Sequence, residues 1–334
     1  MSPASKALPG SSANAHIALL LPLNSSAFGR AAEAVKQGFM AASAIQPGTL
    51  PIKIYPSGDK VDDIVSAYGQ ATQAGARIVV GPLTKNGVTA LASSQLVSVP
   101  TLALNLPERD ATLPPQLYLL GLAADIEARQ IAQAAFADGR RTASIIVSGG
   151  ALEKRIQLSF AAEWQILGGT ILDQFSFSGP NAGAVGESLQ KHPVDMVFLA
   201  MDGQEARLLR PYLKLDIPFY ASSQIYAGAN NPQKYHDLNG IRFADMPWLL
   251  QPDHVAVMVY PRPQTPLGTD LERLYALGID AWRLALMLQA NPPDSALILD
   301  GVTGQLSLDP ASHQFNRAGV QAEFRDGEAV VLTP

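Results

Sequence analysis

From residue 16 onward, short continuous apolar runs alternate with longer stretches in which apolar residues return every third or fourth position. "IALLLPL" is the first run, and an uninterrupted apolar string reads as a strand covered on both faces. The stretch after it sets Ala31, Val35, Gly38, Phe39 and Ala42 on one stripe at helical spacing. "IKIYP" reads as a second strand, followed by a helix with Val61, Ile64, Val65 and Tyr68 on one face. "RIVVGP" is a third strand, residues 86 to 94 a short helix and "PTLALN" a fourth strand. Strands separated by helices need crossovers, which predicts a parallel sheet wound with helices.

The pattern then restarts. "QLYLLGLAADIEARQIAQAAFADG" reads as an extended stretch and a helix, and "TASIIVSGG" as a new buried strand. The helix "ALEKRIQLSFAAEWQILGG" stops at Gly168 and Gly169, residues suited to a helix C-terminus. "TILDQFSF", a helix near 182–190, "VDMVFLAM", a helix near 203–214 and "IPFYASS" complete a second wound unit. The boundary between the two falls near Gly121. A long helical stretch, "LGTDLERLYALGIDAWRLALMLQ", ends before Asn291, Pro292 and Pro293. After it, "GVTGQLSLD" and "VQAEFRDGEAVV" alternate as exposed antiparallel strands do, and "RDGE" places Asp-Gly at a hairpin turn. Elements that follow two complete units imply a chain that passes between them more than once.

Composition narrows the classes. The chain has 334 residues, 47% hydrophobic and 16% charged, enough apolar material for two cores. Net charge is −5, and no basic run supplies the electrostatic term that nucleic-acid binding needs. The longest apolar stretch falls far short of the ~20 residues that cross a bilayer. Cysteine is absent, which excludes disulfides and thiolate chemistry but leaves the compartment open. Residues 1–14 are small, polar and Pro/Gly/Ser-rich, and read as a flexible leader or the remainder of a removed targeting segment.

The order of parts resembles type I periplasmic binding proteins, the amino-acid-binding group in particular. "IALLLPLNSSAFGRAAEAVKQGF", "IVVGPLTKNGV", "PTLALN" and "YALGIDAWRLALML" followed by "LDGVTGQLSLD" carry the resemblance over nearly the whole chain from His16. More narrowly, "LLLPL" leading into "AVKQGFMAA", then "VVGPL", "PTLALN" and "GVTGQLSLD…AEFRDGE", is similar to the LppC-type lipoproteins. These are penicillin-binding-protein activators, anchored in the outer membrane and facing the periplasm. The resemblance implies an α/β fold of two Rossmann-like, doubly wound parallel-sheet lobes joined by three crossovers. Lobe one would hold 15–121 plus 250–298, and lobe two 122–249 plus 299–334. It also implies a lipid-anchored mature form, although the acylated cysteine of such proteins is absent. Some members carry a preceding helical-repeat domain, for which 334 residues leave no room.

In amino-acid binders of this fold, the ligand carboxylate is held by loop amides and hydroxyls at helix N-termini of lobe one, where free N–H groups favour an anion. The matching positions are Asn24, Ser25, Ser26 and Phe28 in the first loop, Leu83, Thr84 and Lys85 after "VVGP", and Asn105 after "PTLAL". Ser25, Ser26, Thr84 and Asn86 read equally well as helix caps. Lobe two would supply a side chain for an amino group, with Asp202, Gln224, Tyr226 and Leu152 or Glu153 as candidates. Asp202 also suits an ordinary N-cap. Gln224 stands where an amino-acid binder tends to carry an acid, a departure that argues against a zwitterionic ligand.

Catalytic constellations are poor. His16, His192, His236, His254 and His313 are scattered without metal-ligand spacing, and there is no G-x-S-x-G elbow, P-loop or G-x-G-x-x-G after the first strand. The expectation is therefore a non-enzyme without cofactor or metal. Trp248 and Tyr260, in a proline-interrupted stretch, line the cleft mouth, form a partner surface or pack a hinge loop. Arg317 and Arg325 read as solvated hairpin charges. Two functions remain: a docking module for a penicillin-binding protein, and a receptor that closes on an amino acid or similar solute for a transporter. Gln224 and the bulky Phe28 favour the first.

Overall fold

A computed structural model describes residues 14–109, 112–213, 216–229, 232–290 and 297–332. Apart from Asn14, the leader expected over 1–14 lies outside the described residues.

The first unit runs β1 (His16–Leu21), α1 (Gly29–Ile45), β2 (Ile52–Pro56), α2 (Val61–Gln73), β3 (Ala76–Val80), α3 (Lys85–Ala92), β4 (Thr101–Ala103) and β5 (Leu117–Leu119). Its strands pair in parallel in the order β2-β1-β3-β4-β5. All six residues of β1 are buried, as its unbroken apolar run requires of a strand covered on both faces. On α2 the buried face is Ile64, Ala67, Tyr68 and Ala71. Of the expected stripe, Ile64 and Tyr68 are buried, Val65 is half-buried, and Val61, at the helix start, is exposed.

The second unit repeats the plan with α4 (Ala124–Ala137), β6 (Thr142–Val147), α5 (Ala151–Ile166), β7 (Thr170–Ser176), α6 (Ala182–Lys191), β8 (Met196–Ala200), α7 (Gly203–Leu209), β9 (Phe219–Ala221) and β10 (Ile241–Asp245). The order β7-β6-β8-β9-β10 is the same as in the first sheet, again parallel. α7 is shorter than the helix expected near 203–214, since a 3-10 turn with Pro211 at its second position follows Leu209.

The chain then returns to the first unit through α8 (Pro247–Leu250), α9 (Val255–Met258) and α10 (Thr269–Ala290), and α10 packs along α1. Trp282 of α10 meets Phe39 edge-on at 5.1 Å, and its indole N–H donates to the Gln46 carbonyl at 2.9 Å. Next come β11 (Ile298–Asp300), β12 (Gln305–Asp309) and β13 (Gln314–Ala318), an antiparallel set that joins β5 through a parallel contact of Gln314 with Leu119. These strands correct the expected division at 299. Leu306, Leu308 and Phe315 complete the core of lobe one, and only β14 (Val320–Arg325) and β15 (Glu328–Val331) join the second sheet. β14 runs antiparallel to β10, and the "RDGE" hairpin forms as read, with Asp326 at φ 52° and Gly327 at φ 79°. The chain thus crosses between lobes before α4, after β10 and at Gly319.

Trp248 and Tyr260 take the packing alternative. Both are buried in the lobe-one core, with the Trp248 indole N–H bonded to Glu272 at 2.8 Å and the Arg262 guanidinium over its ring.

Candidate functional site

In each sheet the chain leaves the first strand toward one edge and the third toward the other. The loops after them diverge and leave a crevice at the carboxyl ends of the strands. In lobe one these loops are 22–28 and 81–84, ahead of α1 and α3.

A hollow of about 630 Å³ lies there, and its lining includes Phe28, Leu83, Thr84, Lys85 and Asn105 of the expected set. Asn24, Ser25 and Ser26 do not line it. Ser25 acts as a local cap: its hydroxyl accepts from the Ala27 and Phe28 amides at 3.1 and 2.7 Å, tightening the turn into α1. Asn105 is also spent on the fold, donating to the Leu83 carbonyl and accepting from the Leu106 amide. Thr84 does not cap α3. Its residue is only 5% exposed, yet its hydroxyl finds no partner among the described residues, and the same holds for Oδ1 of Asp59 on the same wall. Phe28 sits at the rim with its ring 45% exposed.

Asp59, Glu108 and Leu274 also line this hollow and were missed in the sequence. Asp59 follows β2, whose carboxyl end faces the same way as those of β1 and β3, so its place in "PSGDK" was a usable signal. Leu274 arrives from α10, far along the chain, and had no local one.

A second hollow of about 430 Å³ lies on the lobe-two side and brings together Asp202, Gln224 and Tyr226 with Arg207, Asp270 and Arg273. Asp202 is the N-cap of α7, accepting from the Gln204 and Glu205 amides at 2.8 and 2.9 Å, with Glu205 closing a capping box. Tyr226 is buried, and burial pushes its hydroxyl well above the ordinary phenol value. Leu152 and Glu153 line neither hollow; Leu152 packs against the core between α4 and α5.

Between the lobes runs a chain of buried charges. The Arg273 guanidinium sits 2.6 Å from Asp245 and donates to the carbonyls of Ser223 and Tyr226 at 2.9 and 3.0 Å. Burial opposes its charge, but Asp245, Glu127 and Asp270 together hold its pKa above the usual value. Burial pushes Asp245 up, against the pull of Arg273 and the Met246 amide. Arg317, expected to be solvated, is 4% exposed and 2.5 Å from Glu127. Arg325 does stay at the surface, paired with Glu323. Among the described residues, no cluster of His, Asp or Glu is arranged to hold a metal, and no helix is long and apolar enough to cross a membrane.

Two sheets whose five parallel strands share one order, joined by three crossovers, define the architecture of the type I periplasmic binding proteins. Within that class the chain belongs to the family described as "LppC putative lipoprotein", whose model matches residues 11–182 and 181–327. It is 30% identical over 326 residues to the penicillin-binding protein activator LpoA of Pantoea ananatis, and 29% identical over 337 residues to that of Pectobacterium parmentieri. These matches take in 84% and 87% of this chain but 47% and 49% of those proteins, so it spans about half their length. Among solved structures it is similar to one from Chromobacterium violaceum described as a "putative branched-chain amino acid ABC transporter", with 38% identity and a TM-score of 0.80 over 92% of this chain and 99% of that one. It is also similar to the C-domain of Haemophilus influenzae LpoA, described as a regulator of PBP1A. There the identity is 26% and the TM-score 0.79, over 95% of this chain and 100% of that one.

Proposed function

We propose that this chain is a non-catalytic regulatory module that binds a penicillin-binding protein and promotes its peptidoglycan synthesis. It would act in the periplasm, within a protein tethered to the outer membrane by lipid. The observation that carries this reading is the end-to-end match with the H. influenzae LpoA C-domain, the part of that regulator with the same two-lobed fold. The cleft supports it: Asp202, Ser25 and Asn105 are spent on caps and loop bonds, and Gln224 stands where an amino-acid receptor tends to carry an acid. The test is surface plasmon resonance against the bifunctional penicillin-binding protein of the same organism, with its glycan polymerisation rate followed in parallel. Saturable binding with a raised rate is expected; neither binding nor a change in rate refutes the reading.

A second reading, a receptor for a small polar solute, is favoured by the partnerless Thr84 hydroxyl and Asp59 Oδ1 in the wall of the lobe-one hollow. A thermal-shift screen against amino acids and peptidoglycan fragments separates the two. A ligand at a hundred times its dissociation constant adds about 2.7 kcal/mol, enough to be seen.

A further inference from the structure

Both buried guanidiniums described above belong to lobe one, and both carboxylates they meet belong to lobe two. Arg317 lies on β13 of the first sheet, and Arg273 on α10, which packs along α1. Glu127 lies on α4, packed on α5, and Asp245 ends β10 of the second sheet. Ser223 of lobe two joins the pairs: its hydroxyl donates to Glu127 at 2.6 Å, and its carbonyl accepts from Arg273 at 2.9 Å. The circuit closes through the backbone. Asp245 is paired with Val320, which is separated from the end of β13 by Gly319 alone, three residues after Arg317. All five residues are at most 7% exposed.

Such a ring is poorly suited to a hinge. Rotating one lobe away from the other draws Arg317 from Glu127 and Arg273 from Asp245 together, so two buried ion pairs are lost at once and Arg273 keeps only the exposed Asp270 as its anionic partner. Breaking buried pairs is costly. The single-residue third crossover, Gly319, adds little slack. We infer that Arg317–Glu127 and Arg273–Asp245, coupled through Ser223, form an interlobe clamp that holds the cleft at one opening. The two lobes keep one spacing and do not shut upon what enters between them. This goes beyond the proposed function and holds whatever the partner is.

The absence of cysteine makes the test clean. Spin labels on Ser26→Cys and Gln204→Cys, exposed positions in the two lobes, report the interlobe distance by double electron–electron resonance. The clamp predicts one narrow distribution, unchanged by saturating amino acids. It also predicts a distribution at least twice as broad in Glu127→Gln and in Asp245→Asn, each verified as folded by circular dichroism. A bimodal or ligand-shifted distribution in the labelled protein without these changes overturns the inference. So does a folded clamp variant whose distribution stays narrow. Should neither variant fold, the unsubstituted protein decides alone: a single unshifted distribution supports the clamp and any other overturns it.

Discussion

Gly278 of α10 lies directly against the carbonyl of Val35 on α1, so closely that a methyl group on Gly278 would overlap the oxygen. The contact is reciprocal, because a methyl on Gly38 of α1 would overlap the carbonyl of Tyr275. Two glycines thus let the helices touch backbone to backbone, and this fastens the returning chain to lobe one. Gly278→Ala is expected to destabilise the protein by about 3 kcal/mol, at the upper end of overpacking costs, because backbone cannot move aside as a side chain can. Urea unfolding followed by tryptophan fluorescence measures it, since Trp282 reports on this interface. Gly69, whose added methyl meets nothing within 4 Å, is the control. Gly69→Ala is expected to stabilise by up to about 1 kcal/mol through helix propensity.

Asp280, fully buried on the same helix, anchors the turn into β12. Its carboxylate accepts from the amides of Val302 and Thr303 at 3.0 and 2.8 Å and from the Thr303 hydroxyl at 2.7 Å. Burial pushes this carboxyl above its ordinary range, opposed by Arg283 and by these bonds. Asp280→Ala strands three donors in the core, and a loss of roughly 3 kcal/mol or more is expected. Asp280→Asn keeps one acceptor oxygen and should lose less. Differential scanning calorimetry of the two variants gives the order, and equal losses contradict the anchoring role.

The strand and helix order of both lobes was legible because fully buried parallel strands are written as apolar runs, "IALLLPL" and "TASIIV" among them. The short pieces were not. β10 reads "IRFAD" and β13 "QFNRA", each with an arginine in the middle, so neither shows an apolar run. Arg242 of β10 turns to Glu323 and Asp138 at the surface, whereas Arg317 of β13 turns inward to Glu127. Nothing local distinguishes them, because the partner that permits burial of Arg317 lies 190 residues away in sequence. The same limit governed the cleft. Loop residues that follow strands were found by position, and Ser25 and Asp202 among them serve as caps, which draw on the same residue types as ligand sites.

Asp195 makes a small acid-sensitive contribution at the start of the second sheet. Its carboxylate accepts from the amides of Thr142 and Arg141 at 2.8 and 2.9 Å, and these two bonds hold its pKa below the usual carboxylate range. A depressed pKa means stability that is present above the unfolded value of ~3.9 and lost as pH falls through the lower folded value. Asp195→Asn should therefore be less stable than the unsubstituted protein at pH 7, with the gap closing as pH falls below the unfolded value. The site is partly open to solvent, so the gap is expected to stay below about 1 kcal/mol. Chemical denaturation at a series of pH values tests this, and a gap that widens as pH falls would contradict it.

Thr84 separates stability from use. Its buried hydroxyl has no partner among the described residues, so it contributes a desolvation cost with no bond in return. Thr84→Val keeps the branched shape without the hydroxyl, and is expected to leave the fold unchanged or to stabilise it by up to about 1 kcal/mol. The docking function predicts no effect of the same variant on stimulation of the penicillin-binding protein, because the hydroxyl is buried in the wall of the lobe-one hollow and offers no surface to a partner. A solute receptor predicts the opposite: a more stable protein that has lost its ligand-induced thermal shift, the signature of a residue kept for binding at the expense of the fold. Measuring both quantities on one preparation decides between them. Unchanged stimulation with raised stability leaves the hollow idle, and lost stimulation would make it the working site.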